Sequence, residues 1–365
     1  MPINLPNHLN LFWIKLEHLL NALDDMQNRL NPKRISEYIE KLKPISMEIK
    51  TYCDKLGTID SFDSNSVEFM LLESAFQLIL SYTKMESANQ NPKEILKMFQ
   101  ALRPITRAKE ILYPLANQFE EVSKYFLTKN RREDPIFKNK LDLVKETQDK
   151  TKIGIFHFEN DRSQRGGYSL YVPEYYSEEK SWPLVVTLHG GSGHGLDLFW
   201  NWVREARSYG FIIASPTSRG RTWSIYNPML DVVNLNQMLS SISGKWRINT
   251  DQILLTGISD GGTYSMLLSI THQSPFTHYA PIAAAVHVLI NRLGEISAPV
   301  KGKKIYQVHG REDWMFPVEK EREVANQLEK AGANIVYREI ADLSHNYPQD
   351  ENENMLRWFY PKAFE

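Results

Sequence analysis

The segment with the most specific chemical pattern is Gly257-Ile258-Ser259-Asp260-Gly261-Gly262, which has the form Gly-x-Ser-x-Gly. An apolar run at 253–256 precedes it and predicts a strand, and a helix-length pattern at 263–271 follows it. A turn this tight needs neighbours almost without side chains, and it leaves the serine hydroxyl projecting above the sheet. The pattern therefore favours Ser259 as a nucleophile for acyl transfer over an ordinary turn serine.

A second glycine-rich segment, His189-Gly190-Gly191-Ser192-Gly193, follows the apolar run 184–188. When a serine attacks an acyl carbon, negative charge develops on the carbonyl oxygen, and we expect the backbone amides of Gly191 and Asp260 to bind it. A phosphate-binding glycine loop is the competing interpretation, but the segment lacks the Gly-x-x-x-x-Gly-Lys-Ser/Thr pattern and its lysine. We expect His189 itself to be structural.

Two further strand ends supply an acid and a base. The predicted strand 305–308 is followed by His309-Gly310-Arg311-Glu312-Asp313, so both Asp313 and Glu312 are candidates for the carboxylate that orients a histidine. His345 follows the last predicted strand and is the only one of the ten histidines that lies beyond this acid. A histidine there can reach Ser259 as general base. The chain order is nucleophile, acid, base, and four separate strand ends agree with it.

The elements that position these residues belong to the second half of the chain, 151–365. Strand and helix patterns alternate there, which predicts an α/β fold with about eight mostly parallel strands and reactive groups at their carboxyl ends. The strands are predicted at 153–158, 168–172, 184–188, 211–214, 253–256, 282–288, 305–308 and 335–340. The helices are predicted at 196–208, 229–242, 263–271 and 318–331.

The first half, 1–150, has apolar residues at steps of three and four, which predicts an all-α helical bundle domain. No clustered metal ligands or nucleophile occur in it. The spacing supports two interpretations: a bundle that closes on the catalytic domain as a lid or scaffold, or a surface that forms a homodimer.

An apparent internal repeat lies within this helical half. The segment 31–46 resembles 91–106, with Asn-Pro-Lys at the start and Leu-x-Pro-Ile at the same offset. This predicts a duplicated helical hairpin. Both copies place a proline, Pro44 or Pro104, in the middle of a helix, where the missing N–H predicts a kink.

Length, composition and charge limit the classes of protein. A chain of 365 residues is long enough for two domains. The formal net charge of -1 gives no attraction to nucleic acid or to an anionic membrane, so nucleic acid is not expected as a partner. Cys53 is the only cysteine, which excludes an internal disulfide, and we interpret it as a packing residue.

The beginning of the chain has no basic segment, and its apolar run at 11–14 is too short for a signal sequence. No run approaches the roughly 20 apolar residues that a membrane-spanning helix needs. We therefore expect a cytoplasmic enzyme without an integral membrane segment, while peripheral membrane contact stays open.

The second half of the chain resembles the α/β-hydrolase superfamily. Within it, the chain looks like the esterases grouped as phospholipase/carboxylesterase, dienelactone-hydrolase, and feruloyl-esterase or polyhydroxybutyrate-depolymerase relatives. The residues that carry the resemblance are Tyr171-Val172-Pro173, the run 183–191, the run 256–262, His309-Gly310-x-x-Asp313 and Ser344-His345. These motifs are specific for the superfamily and its chemistry, but not for the substrate, because specificity lies in variable insertions.

The resemblance favours Asp313 over Glu312 as the acid. It implies that His345 takes the Ser259 proton, that an acyl-enzyme forms on Ser259, and that water completes the hydrolysis of a small-molecule ester. It implies no cofactor and no metal. The leading hypothesis is thus a carboxylic-ester hydrolase. A peptidase of the prolyl-oligopeptidase kind and a catalytically retired scaffold or binding protein are the alternatives.

Candidate substrate contacts lie near the predicted strand ends. They are Gly190, Trp223, Tyr226, His287 and Trp314. For the two tryptophans and Tyr226, packing is favoured over substrate contact, and for His287 the two interpretations are equal.

Overall fold

The computed structural model describes residues 4–57, 59–90, 95–145, 149, 151–271, 274–287 and 300–365. The chain separates into two compact units, Met1–Lys138 and Asn139–Glu365. This division precedes the predicted boundary at residue 150. The roles assigned to the two parts remain predictions.

The described residues before the sheet are helical, as expected. The helices are α1 (Asn7–Asn28), α2 (Ile35–Leu56), α3 (Val67–Gln90), α4 (Ile95–Gln100), α5 (Arg103–Ala116), α6 (Glu120–Tyr125), α7 (Lys129–Arg132) and α8 (Pro135–Lys145). The apolar face of α1 is buried through Leu9, Leu16 and Leu23, which explains the three-and-four spacing. Among the described helices of the whole chain, none is both long and apolar enough to cross a bilayer.

The predicted second kink of the repeat is wrong. Pro44 lies inside α2 as expected, but Pro104 is the second residue of α5. A proline in the first turn of a helix breaks no intrahelical hydrogen bond, because the N–H it lacks would have no partner there. The segment that corresponds to the first copy is divided between α4 and α5, and its residues 91–94 lie outside the described residues.

A buried ion pair joins two helices of the first unit. The Lys109 ammonium lies 2.7 Å from the Asp24 carboxylate, and both side chains are almost fully buried. The Tyr125 hydroxyl donates a 2.9 Å hydrogen bond to the same carboxylate. Because the two charges are shielded from water, each depends on the other for its solvation.

The second unit contains one sheet of eight strands. They are β1 (Gly154–Phe158), β2 (Tyr168–Val172), β3 (Trp182–Leu188), β4 (Ile212–Pro216), β5 (Ile248–Ile258), β6 (His278–Ile282), β7 (Lys304–Gly310) and β8 (Asn334–Ile340). Their spatial order is β1-β2-β4-β3-β5-β6-β7-β8. Every neighbouring pair from β4 to β8 is parallel, whereas β2 is antiparallel to both β1 and β4. This confirms the predicted α/β-hydrolase class of fold.

The central strands are buried along their whole length or over the half that leads to the site. All residues of β3, β4 and β6 are buried, which matches their continuous apolar runs. Because β3, β5, β7 and β8 are mutually parallel, their carboxyl ends lie at the same edge of the sheet. The loops that follow these four strands carry the candidate catalytic and oxyanion residues, whereas the candidate substrate residues Trp223 and Tyr226 follow β4 and His287 follows β6.

The prediction for β6 was wrong by about one strand length. The sequence predicted a strand at 282–288, but β6 is His278–Ile282, and residue 288 lies outside the described residues. Ala283 has a φ of 45°, which turns the chain out of the sheet directly after Ile282. The less apolar segment 278–282 is instead held in the sheet, paired with β5 on one side and with β7 on the other. Tertiary pairing thus overrides the local apolar run.

The helices of the second unit are α9 (Gly195–Phe199), α10 (Val203–Tyr209), α11 (Met229–Ser243), α12 (Asp260–Ser269), α13 (Val318–Lys330) and α14 (Asn352–Phe359). The single helix predicted at 196–208 is in fact two helices. Turn hydrogen bonds from Asn201 N to Leu198 O and from Trp202 N to Phe199 O, both 3.0 Å, separate them. Helix α14 was not predicted.

We expect Lys109→Met to lower the free energy of unfolding of the helical unit by about 3 kcal/mol, because it leaves the Asp24 carboxylate buried without the ammonium. Urea unfolding of the full chain, followed by circular dichroism, measures this. Lys15→Met is the matched control, since the Lys15–Glu48 ion pair is partly exposed and should contribute much less to stability than the buried pair. Equal losses in the two variants would contradict the interpretation.

Candidate active site

Ser259 occupies a strained turn between β5 and α12. Its backbone has φ 55° and ψ -119°, a conformation that a residue with a side chain rarely adopts and that costs about 1–3 kcal/mol. The Ser259 N–H donates to Ile282 O at 3.0 Å, and Ser259 O accepts from Thr263 N at 2.8 Å. The turn is therefore held by β6 on one side and by the first turn of α12 on the other.

Close backbone packing explains the glycines of this turn. A Cβ atom on Gly261 would lie 2.4 Å from Leu188 O and 2.6 Å from His189 O. No side chain fits at this distance. The start of α12 thus packs directly against the end of β3, and this contact brings the loop after β3 beside the serine.

Ser259, His345 and Asp313 form a hydrogen-bonded row. The Asp313 carboxylate can only accept, so Nδ1–H of His345 donates to Asp313 Oδ2 at 2.9 Å. Nε2 of His345 is then free to accept from the Ser259 hydroxyl, 3.1 Å away. The His345 and Asp313 side chains are 6% and 0% exposed. The structure thus brings together the three residues that the sequence suggested.

The Asp313 carboxylate is fixed by several donors. Its Oδ1 accepts from the backbone N–H groups of Met315 and Phe316, both at 2.8 Å. Burial raises its pKa, but the hydrogen bond and charge of His345 and the Phe316 N–H outweigh burial, so the pKa lies below its usual value. Asp313 is therefore ionised at neutral pH and can stabilise a His345 imidazolium.

Two residues near the acid were missed as site residues at the sequence level. Nε2 of His309 lies 2.9 Å from Phe316 O and 3.5 Å from Asp313 Oδ2, and its side chain is fully buried. Burial lowers the pKa of His309, so the ring is neutral. The Phe316 ring packs edge-on against His345 with centroids 5.1 Å apart. The spacing His309-x-x-x-Asp313 was the available signal for His309, whereas no pattern marks Phe316.

The glycine-rich loop after β3 lies directly against the serine turn. A Cβ atom on Gly190 would lie 3.5 Å from the Ser259 Cβ, and one on Gly191 would lie 2.8 Å from Asp260 Oδ2. The Thr222 hydroxyl donates to this same Asp260 oxygen at 2.5 Å. The two segments that carry the candidate oxyanion donors, Gly191 and Asp260, are therefore in contact.

Hydrogen bonds of His189 and Trp223 fix the conformation of this loop. Ser218 N–H donates to Nε2 of His189 at 3.1 Å, so Nδ1 carries the proton and donates to Gly190 O at 2.7 Å. The indole N–H of Trp223 donates to His189 O at 2.8 Å. Trp223 is only 2% exposed, so its contacts favour packing over substrate contact.

The other candidate substrate residues are more accessible. Trp314 is 39% exposed, and its ring lies 6.2 Å from that of His345. His287 is half-buried, with its ring 6.4 Å from that of Tyr226, which is 97% exposed. Burial lowers the pKa of His287, which keeps it neutral. Within the described residues, no group of three or more His, Cys, Asp or Glu side chains is arranged to hold a metal ion.

Comparisons with known proteins find esterases among the proteins that are similar to this chain. No protein-family model matches it. It is similar to the bifunctional acetylxylan esterase/xylanase XynS20E of Neocallimastix patriciarum, with 27% identity over 207 residues, which cover 53% of this chain and 28% of that protein. The chain thus spans less than a third of the length of this relative.

Among solved structures, the chain is similar to Thermogutta terrifontis esterase 2, with 13% identity and a TM-score of 0.46 over 57% of this chain and 94% of that one. It is similar also to an acetyl xylan esterase from Aspergillus awamori, with 13% identity and a TM-score of 0.42 over 56% and 98%. A thermostable esterase has 20% identity and a TM-score of 0.44 over 58% and 63%.

We expect Gly310→Ala to lower kcat/KM for an ester about 100-fold, because a Cβ atom there would lie 2.2 Å from Leu343 O and push the loop of His345 away from that of Asp313. Steady-state assays with an arylester measure this. Gly220→Ala is the control, since the nearest atom to its Cβ is 3.4 Å away. Wild-type kcat/KM in the Gly310 variant would contradict the predicted coupling of the two loops.

Proposed function

We propose that this protein is a carboxylic-ester hydrolase that acts through an acyl-enzyme on Ser259. The observation that carries the proposal is the row of hydrogen bonds from the Ser259 hydroxyl to His345 and on to Asp313. The esterase named in the curated relative supports the same class of reaction. The substrate is a small-molecule ester, and the chain's own residues supply the chemistry without a cofactor or metal.

The reaction follows from the geometry of the row. His345 takes the proton of the Ser259 hydroxyl through Nε2, and the oxygen attacks the ester carbonyl carbon. The ionised Asp313 stabilises the imidazolium and keeps Nδ1 protonated. His345 then donates the proton to the leaving alkoxide, and an acyl-enzyme remains. Water, activated by the same imidazole, releases the acid and restores the serine.

The amides of Gly191 and Asp260 are proposed to bind the carbonyl oxygen during both steps. Their segments meet beside Ser259, and Asp260 is the first residue of α12, where the helix dipole favours negative charge. The hydrogen bonds on His189 fix the peptide next to Gly191. A donor set that is already in place needs no reorganisation when charge develops on the oxygen.

The two alternative functions have less support. A peptidase of the prolyl-oligopeptidase kind usually carries a β-propeller before the catalytic domain, whereas the described residues up to 145 are helical. A retired scaffold usually lacks at least one residue of the catalytic row, and all of them lie within hydrogen-bonding distance here. The cytoplasmic location and a homodimer through the N-terminal helices remain predictions.

We expect Ser259→Ala to abolish both labelling by a fluorophosphonate probe and turnover of esters, because the probe bonds covalently to an activated serine oxygen. A panel of arylesters of increasing acyl length, with acetylated xylan added, measures turnover and ranks substrates. Ser192→Ala, in the neighbouring loop, should keep the labelling. Labelling that survives in Ser259→Ala would overturn the nucleophile assignment, and no labelling of the wild type would favour the scaffold.

We expect Asp313→Asn to lower kcat about 10³–10⁴-fold with a much smaller change in KM, because an amide cannot hold His345 in the required tautomer. Glu312→Gln is the matched control. It changes the adjacent carboxylate in the same way and should leave kcat within about twofold, since His345 contacts Asp313. A larger loss in the Glu312 variant would reverse the assignment of the acid.

A further inference from the structure

The loop that carries Asp313 is joined at its base by one pair of buried side chains. The loop, 311–317, begins after β7 and ends where α13 begins. Gln307 lies near the end of β7, and Glu321 lies in the first turn of α13. The Gln307 amide N–H donates to Glu321 Oε2 at 2.8 Å and to Glu321 O at 3.2 Å. This pair therefore connects the two ends of the acid loop.

Further hydrogen bonds restrain the part of the 311–317 loop that carries Asp313. His309 bonds to Phe316 O across the loop, and Asp313 accepts from two N–H groups of the loop itself. These bonds fix the shape of the loop. The His309 bond also ties the loop to β7, to which His309 belongs, and the Gln307–Glu321 pair adds a link between β7 and α13.

The surroundings of Glu321 favour its uncharged form. Its side chain is 1% exposed, and among the described residues it has no salt bridge. The pKa of Glu321 is raised to about 8 as the net result of three effects: burial raises it most, the Gln307 hydrogen bond lowers it, and the negative charge of Asp313 raises it. A carboxyl group with this pKa is protonated at neutral pH.

The unused polar atoms of the pair are complementary only when Glu321 is protonated. Within the part of the chain that the structure describes, Glu321 Oε1 and Gln307 Oε1 both lack a hydrogen-bond partner. As an ionised carboxylate and an amide carbonyl, both would be acceptors. As a carboxylic acid, Glu321 gains an O–H that can donate to Gln307 Oε1, directly after a small adjustment or through one water.

Other ionisable groups surround the pair. Tyr337 comes from the neighbouring strand β8, where it pairs with Gln307, His309 lies two residues beyond Gln307 on β7 itself, and Asp313 comes from the loop. The Glu339 carboxylate on β8 is paired with Arg311 and Arg322. Glu319 lies on α13 beside Arg322 and is exposed. A second negative charge on Glu321 would thus be added beside Asp313 without a cation of its own.

We propose that Glu321 is a positioning residue of the catalytic site, an uncharged acid that pairs with Gln307 and fastens the loop that carries Asp313. The inference rests on the proposed role of Asp313. Ionisation of Glu321 would remove the O–H that can donate to Gln307 Oε1, while the Gln307 N–H bond to the carboxylate would remain. It would also place a like charge near Asp313, so it should lower activity as the pH rises.

The test compares kcat and KM from pH 6 to pH 10 in the wild type, Glu321→Gln, Glu321→Leu and the control Glu319→Gln. We expect wild type and the control to lose about tenfold in kcat/KM above a pH near 8. Glu321→Gln, which stays neutral and can still pair, should keep neutral-pH activity and lose this decline. Glu321→Leu, which cannot pair with Gln307, should have a kcat about tenfold below that of the wild type at neutral pH, no decline near pH 8, and an unchanged KM.

A second measurement tests the charge of Glu321 without any activity. The folded protein keeps a proton on Glu321 that the unfolded chain releases, so the melting temperature of the wild type should fall between pH 5 and pH 8 relative to Glu321→Gln. Infrared difference spectra should show one protonated carboxyl at pH 7 that the glutamine variant lacks.

Two results would overturn the inference. One is a Glu321 that is already ionised at pH 7, and the other is a high-pH decline that Glu321→Gln retains. If the esterase proposal itself fails, no ester is turned over, yet the melting and infrared comparisons still show whether Glu321 is protonated. The failures of the two proposals can therefore be told apart.

Discussion

The backbone contact between the first turn of α12 and the end of β3 is the constraint on which the candidate site depends. Gly261 lies against Leu188 O and His189 O at a distance that admits no side chain. Because the helix starts so close to the neighbouring strand, the chain must turn sharply at Ser259, which explains its positive φ. The same contact brings the glycine loop after β3 beside the serine. One close approach thus positions both the proposed nucleophile and the predicted anion site.

Two buried carboxyl groups near each other are expected to differ in charge, with Asp313 ionised and Glu321 neutral, and their partners explain the difference. Asp313 receives two backbone N–H groups and the imidazole N–H of His345, which stabilise a negative charge. Glu321 receives one amide donor, from Gln307, and faces that negative charge. Burial alone would favour the neutral form of both. The larger number of hydrogen-bond donors therefore favours the ionised form of Asp313, and an ionised carboxylate can stabilise a protonated His345.

The sequence predicted those features that local patterns determine. Glycine spacing identified the serine turn, and apolar runs before each loop located most strands within a few residues. The misplaced β6 and the wrong kink at Pro104 have another origin. The pairing of His278–Ile282 with β5 and β7 depends on residues distant in the sequence. At the break between α4 and α5, Ala101 O accepts a hydrogen bond from the Ser81 hydroxyl, twenty residues earlier. Phe316 against His345 and Gln307 against Glu321 are contacts of the same kind, which no motif describes.

The supports of the site and its accessible surface come from different parts of the chain. Residues that hold the site in place, such as His309 and Trp223, are buried and bonded to backbone atoms. The exposed aromatic residues, Tyr226 and Trp314, lie on the loops after β4 and β7. A buried residue cannot change without moving the site, whereas an exposed loop residue can. Under the proposed esterase activity, differences in ester preference should therefore arise in these loops, while the buried contacts keep the chemistry the same.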